Sequence, residues 1–194
     1  MKEESTLRRF RRALAAIAVG VVGGLTWDSP ESWAQAPATP RTVEAPAGPV
    51  VVKVEGEVST PLRLTAAELN QLPRQTVMAR AHDEKESRFE GIALFDVLKK
   101  AGLPTGKDLR GKAVALYLVV EAADGYRAVF ALPELDPAFT DRVILLADRR
   151  DGQALSSRDG PLQIVVPGEK RHSRWVRQVI ALRIGRASAC GNVE

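Results

Sequence analysis

The chain is poor in the residues that most often build a reaction centre. Its 194 residues include one cysteine, Cys190, and two histidines, His82 and His172. A single cysteine excludes an internal disulfide and any cysteine-built metal cluster. Two histidines do not by themselves make a metal site, so no residue is assigned as a metal ligand. There is no Gly-x-x-x-x-Gly-Lys phosphate loop and no Gly-x-Ser-x-Gly elbow. Net charge is +4, spread along the chain, which excludes a nucleic-acid reader on electrostatic grounds. Apolar runs are short of the roughly 20 residues that an ordinary membrane span needs. No internal repeat is visible.

What is present fits a globular domain of ordinary size. Apolar residues make up 45% of the chain and charged residues 27%, a balance suited to one packed core. The N-terminus reads as an export signal occupying residues 1–36. Arg8, Arg9, Arg11 and Arg12 form a basic start, Ala13 to Leu25 an uncharged apolar run, and Ala34-Gln35-Ala36 a small-x-small cleavage site. Arg11-Arg12-Ala13-Leu14 loosely fits a twin-arginine signal, although Phe10 precedes the pair. The mature protein is therefore expected in the periplasm or outside the cell, with no stable membrane span after cleavage; the alternative is an uncleaved N-terminal anchor. Residues 37–49, rich in Pro, Ala and Thr, read as a linker. Residues 50–185 read as the domain and 186–194 as a small polar tail.

Within the domain, short apolar runs alternate with turn signals. Val50 to Val58 predicts a strand. Thr65-Ala66-Ala67-Glu68 predicts a capping box opening a short helix that Pro73 stops. Gln75 to Ala81 alternates like a strand and leads into a charged loop, His82 to Arg88. Ile92 to Gly102 predicts an amphipathic helix, with Leu94, Val97, Leu98 and Ala101 on one face and Gly102 as its stop. Ala113 to Val120 and Tyr126 to Ala131 predict a hairpin across Ala123-Asp124-Gly125. A short helix or turn is expected at Pro133-Glu134-Leu135, and another strand from Val143 to Asp148 before the turn Asp151-Gly152. Such a pattern predicts an α+β fold of mixed β-sheets with short helices.

The stretch from Gly160 to Ile184 holds the strongest functional signal. Leu162 to Val166 reads as a buried strand, ended by Pro167-Gly168, and Val176 to Ile184 as a second. Between them lie Lys170, Arg171, His172, Ser173 and Arg174, with Arg177 just inside the second and Trp175 placed to anchor the loop in the core. A cationic loop held in a rigid frame suits an anion such as a phosphate. The plainer reading is a solvated basic turn, with Glu169 satisfying Lys170 or Arg171.

Gly-Pro-Leu-Gln-Ile-Val-Val-Pro, the basic loop and Arg174-Trp175-Val176 together resemble the closing segment of the sulfite-oxidase-type molybdopterin-binding domain. Phe89-Glu90-Gly91-Ile92 and the helix after it resemble a second segment of that family. The resemblance covers roughly residues 50 to 184. It implies the mixed α+β fold, an oxidoreductase relationship, and a loop whose two lysines and serine contact the phosphate of molybdopterin. Arg171 and Arg174 stand where the family has its lysines, His172 where it has serine, and Ser173 follows. The candidate cofactor-binding residues are thus Lys170, Arg171, His172, Ser173 and Arg174. The family also ligates molybdenum through a cysteine just before the Phe-Glu-Gly-Ile segment, here Thr76 to His82, where no cysteine stands. Catalytic residues therefore stay unassigned. His82 is the polar residue nearest that position; it either approaches a metal or substrate or is a solvated loop histidine. Arg80 reads as an outward-facing strand residue unless the site is concave there. Tyr126 and Arg127 either border a pocket or simply complete a turn. Two functions are expected to compete: an exported oxidoreductase component holding molybdopterin through its basic loop, or a cofactor-free module that binds a small anion or a partner protein, such as a redox partner.

Overall fold

The computed structural model describes residues 48–188. The predicted export signal, most of the predicted linker, and Cys190 lie outside them. In chain order the elements are β1 (Val50–Gly56), β2 (Leu62–Thr65), α1 (Ala66–Leu69), β3 (Arg74–Arg80), β4 (Glu86–Ala93), α2 (Leu94–Lys100), β5 (Leu116–Ala122), β6 (Arg127–Ala131), β7 (Leu145–Arg150), β8 (Gln153–Ala154), β9 (Gln163–Val165) and β10 (Val179–Arg186). Four short 3-10 turns join them, including Leu132–Glu134 and His172–Arg174. No helix among the described residues is long and apolar enough to cross a membrane.

The strands form two sheets. One runs β2-β1-β10-β5-β6, and its β1–β10 pair is parallel while the others are antiparallel. The other runs β3-β4-β7-β8, with β9 also pairing β7. The architecture is the mixed-sheet α+β fold that the pattern of short strands implies. Period-two patterning explains which face each strand buries. Leu116, Leu118, Val120 and Ala122 of β5 point into the core, as do Ala128 and Phe130 of β6, while Arg127 and Val129 face water. Buried residues of both sheets and of α2 join in one apolar cluster.

Local signals hold at the helix ends. Glu68 N–H donates to Thr65 Oγ1 at 3.2 Å, and Thr65 N–H donates back to the Glu68 carboxylate at 2.8 Å, closing the capping box. Leu94, Val97 and Leu98 of α2 are buried with Ala101. Gly102 ends the helix at φ +77°, a left-handed conformation that glycine adopts without Cβ strain.

One expectation gives way. Ile92 and Ala93 do not begin the helix; they end β4, and α2 starts at Leu94. Ser87, Phe89 and Gly91 face inward along β4, paired to β3 on one side and β7 on the other. Gly91 permits that pairing. A Cβ there would sit 2.1 Å from the Leu146 carbonyl oxygen and 2.6 Å from Ala147 Cα, so only hydrogen fits. The charged loop after β3 is correspondingly shorter than expected, since β4 already starts at Glu86.

The framing of the basic loop also differs in a way that matters. β9 and β10 flank it as expected, but they belong to different sheets. The loop is therefore the crossing between the two sheets and lies where they meet.

Candidate anion-binding site

Four pieces of chain converge at that crossing. They are the end of β3, the turn ahead of β9, the loop 166–178, and the tip of the β5–β6 hairpin. Trp175 is the pin. Its ring is buried, its Nε1–H donates to the Val166 carbonyl at 3.1 Å, and it meets Phe89 edge to face at 5.5 Å between centroids. A buried indole with its N–H satisfied holds the 3-10 turn His172–Arg174 at a fixed height above the core.

Two further bonds strap that turn. His172 Nε2–H donates to the Arg80 carbonyl at 2.7 Å, since a carbonyl can only accept. The Tyr126 hydroxyl donates to the Ser173 carbonyl at 2.6 Å, tying in the hairpin tip. The His172 ring stands edge-on to Trp175 at 4.7 Å and lies 4.5 Å from the ring of His82, inclined by 51°. The two histidines of the chain, ninety residues apart in sequence, are thus in contact.

The site is concave. A cavity of about 300 Å³ is lined by His82, Phe89, Arg150, Arg158, Gln163 and Arg177 among others. A neighbouring one of about 590 Å³ is lined by His82, Tyr126, Lys170, Arg171, His172 and Ser173 among others. His82, Trp175 and Arg177 border both, so the two form one bipartite cleft.

The cations around it divide into two kinds. Arg174 is spent internally. Its Nη1 donates to both Glu134 oxygens at 3.0 and 2.9 Å, its Nε to Glu169 at 2.8 Å and its Nη2 to the same Glu169 oxygen, and its guanidinium lies over Phe130 at 4.6 Å. Burial works against its charge, but the two carboxylates more than offset that and raise its pKa. Glu169 thus serves Arg174 rather than Lys170 or Arg171. Arg177 pairs with Asp159 at 3.2 Å, and Arg150 with Asp83 at 2.7 Å and with the Ser87 hydroxyl. Arg158, Lys170 and Arg171 line the cleft with no described carboxylate in salt-bridge contact. His82 makes no hydrogen bond through its ring to a described residue. Partial desolvation lowers its pKa first, then the nearby His172, Arg177 and Arg158, with only Asp159 acting in the opposite sense. Its ring is accordingly neutral at neutral pH.

The sequence candidates are therefore brought together, with unequal availability. His82, Lys170, Arg171, His172 and Ser173 line the larger cavity, whereas Arg174 lies behind the loop. Tyr126 borders the cleft; Arg127 instead pairs with Glu121 at 3.0 Å. Arg150, the last residue of β7, reads in sequence as a salt-bridged surface residue of a polar hairpin end, and Arg158, in the turn ahead of β9, carries no pattern that separates it from ordinary surface. Arg80 contributes its backbone carbonyl, which no side-chain pattern reports.

The donor set suits an anion. Lys170 and Arg171 offer charge-assisted hydrogen bonds of the kind that hold a phosphate. It does not suit a thiolate-bound metal: the described residues include no cysteine, and among them no three His, Cys, Asp or Glu side chains converge as a metal cage.

Comparison with known proteins agrees with the fold. Residues 46–188 match the model of the oxidoreductase molybdopterin binding domain family. A solved structure, the sulfane dehydrogenase SoxCD from Paracoccus pantotrophus, superposes with a TM-score of 0.53 at 23% sequence identity. The match covers 69% of this chain and 37% of that one, so the present chain corresponds to little more than a third of its neighbour. No curated protein matches the chain.

Proposed function

The chain belongs to the oxidoreductase molybdopterin binding domain family, and from that membership we propose that its bipartite cleft holds the phosphate end of a molybdopterin-type ligand. The observation that carries this reading is the division of the cations. Those that build the loop are neutralised by carboxylates, while Arg158, Lys170 and Arg171 face the cleft with no described carboxylate in contact. Like charges clustered in a pocket repel one another, and a bound anion relieves that cost.

In this reading Lys170 and Arg171 bind the phosphate, and Ser173 adds a hydroxyl. Trp175, His172 and Tyr126 keep the loop at the height the phosphate needs. Arg174 positions the loop by bracing Glu134 and Glu169 and does not contact the ligand. When bound, the family's cofactor supplies redox chemistry at its metal. Thr76 to His82 provides no thiolate for that metal, so we assign this chain no oxygen-transfer step. We further propose that the protein is exported and acts in the periplasm after cleavage following Ala36, as the basic start and small-x-small site of the leader suggest.

The test is pterin content. Protein purified from its own host is oxidised to release fluorescent pterin, and wild type is compared with a Lys170→Ala/Arg171→Ala variant. Retained pterin in wild type that is lost in the folded variant is the expected result. A folded, pterin-free wild type overturns the cofactor reading.

A second reading has its own supporting observation. His82 and His172 pack against each other beside the cysteine-free segment, setting a pair of imidazoles among the cations of the cleft. On this reading the domain is a cofactor-free module for a small anion or a partner protein. It predicts anion binding without pterin.

A further inference from the structure

We propose that anion binding in this cleft is proton-coupled: the site takes up a small oxyanion or phosphate monoester together with one proton, which His82 accepts. This rests on the anion-binding reading shared by both functions above and adds how the site is controlled.

His82 is placed for that role. It borders both halves of the cleft, so a ligand in either half meets it. Its ring makes no hydrogen bond to a described residue, which leaves its nitrogens for a ligand. The neighbouring imidazole differs, because His172 keeps Nε2–H committed to the Arg80 carbonyl. The charged and titratable groups that line the cleft with His82 are Lys170, Arg171, His172 and Arg177 on the closing loop, Arg158 and Asp159 ahead of β9, Arg150 at the end of β7, Asp124 and Tyr126 at the hairpin tip, and Asp83 and Glu84 on its own loop. Asp83 is engaged by Arg150 and Asp159 by Arg177. Partial desolvation disfavours the charged ring first, and the combined field of His172, Arg177 and Arg158, opposed only by Asp159, adds to it, so the neutral ring is favoured.

An anion seated in either half, beside Arg158 in the smaller or beside Lys170 and Arg171 in the larger, reverses that field at His82, which borders both. A negative charge within about 4–6 Å favours the protonated imidazole. The bound-state pKa then exceeds the free-state pKa, and the anion and the proton promote each other's binding by the same factor. The sign follows. Affinity is greatest below the free-state pKa, which lies under the ordinary histidine value, and falls as pH rises through the bound-state pKa.

Sulfate is the suitable probe, because its charge does not change across the histidine range. Calorimetric titration of the full chain with sulfate, at about pH 5.5 and about pH 8 and in buffers of different ionisation heat, reads affinity and proton uptake together. Up to about one proton taken per sulfate between those limits is expected, with affinity about tenfold tighter at the lower pH, the effect of a shift of one pKa unit. His82→Gln, verified as folded by its thermal melt, is expected to lose both the uptake and the pH dependence. Saturable binding that is flat with pH, or coupling that survives in His82→Gln, overturns the proton-coupled mechanism and leaves the anion site standing. No saturable binding at either pH overturns both.

Discussion

His172 donates its Nε2–H to the backbone carbonyl of Arg80 across 2.7 Å, bridging 92 residues of chain. The bond joins the loop that carries the cations to Arg80, the last residue of β3. His172→Ala removes that bond and the ring contacts to Trp175 and His82. A loss of about 1–2 kcal/mol is expected, from the hydrogen bond and the two ring contacts together. Urea denaturation measures it, and faster amide exchange confined to residues 170–175 would place the loosening in the loop.

Arg174 and Arg171 should separate stability from binding. Arg174→Ala strands Glu134 and Glu169 without their partner and should cost about 1–3 kcal/mol. Arg171→Ala, on an exposed residue, should change stability by no more than about 0.5 kcal/mol yet weaken sulfate binding by about tenfold, the equivalent of one charge-assisted contact. Melts and titrations on the two variants check the crossing. Equal loss of binding in folded Arg174→Ala would place Arg174 at the ligand.

Gly91→Ala should prevent stable folding. The new methyl meets the backbone of β7 at Leu146 and Ala147, not a movable side chain. A destabilisation of more than about 4 kcal/mol is expected, seen as insoluble protein or a circular dichroism spectrum without the native strand signal.

Stability should fall in acid. The Arg150 guanidinium lowers the pKa of Asp83, the Arg88 N–H that of Asp151, the Thr65 backbone that of Glu68, and Arg127 with Arg183 that of Glu121. Groups depressed in the folded state stabilise above their unfolded values, 3.8 for Asp and 4.5 for Glu, and that stabilisation is lost as pH drops through the folded pKa. The urea midpoint should therefore be lower at about pH 3 than at about pH 6. An unchanged midpoint would mean that these bonds do not form in solution.

Much of the architecture was readable from local pattern. The alternation of β5 and β6, the Thr65–Glu68 capping box and the buried face of α2 depend on neighbours a few residues apart, and all appear as expected. Trp175 as the anchor of the loop was readable too, because a large aromatic beside a cationic turn has few other uses. What pattern does not carry is partnership. Ile92 and Ala93 became strand because β7 pairs with both and β3 with Ile92, which overrides the helix-like run they open. That β9 and β10 lie in different sheets is a fact of topology, invisible in either strand. The cleft was half legible for the same reason. Lys170, Arg171 and His172 announced themselves by density, whereas Arg150 and Arg158 enter the site only through the fold, and His82 meets His172 across 90 residues.

The most direct test of the anion cleft is an amide NMR titration of the folded protein with inorganic phosphate. Saturable shifts confined to residues 82, 158 and 170–177 are predicted, with arginines on the outer surface such as Arg88, Arg110 and Arg186 unaffected. Shifts that fail to saturate, or that spread equally over those outer arginines, would contradict the claim that this crossing between the two sheets is a built anion site.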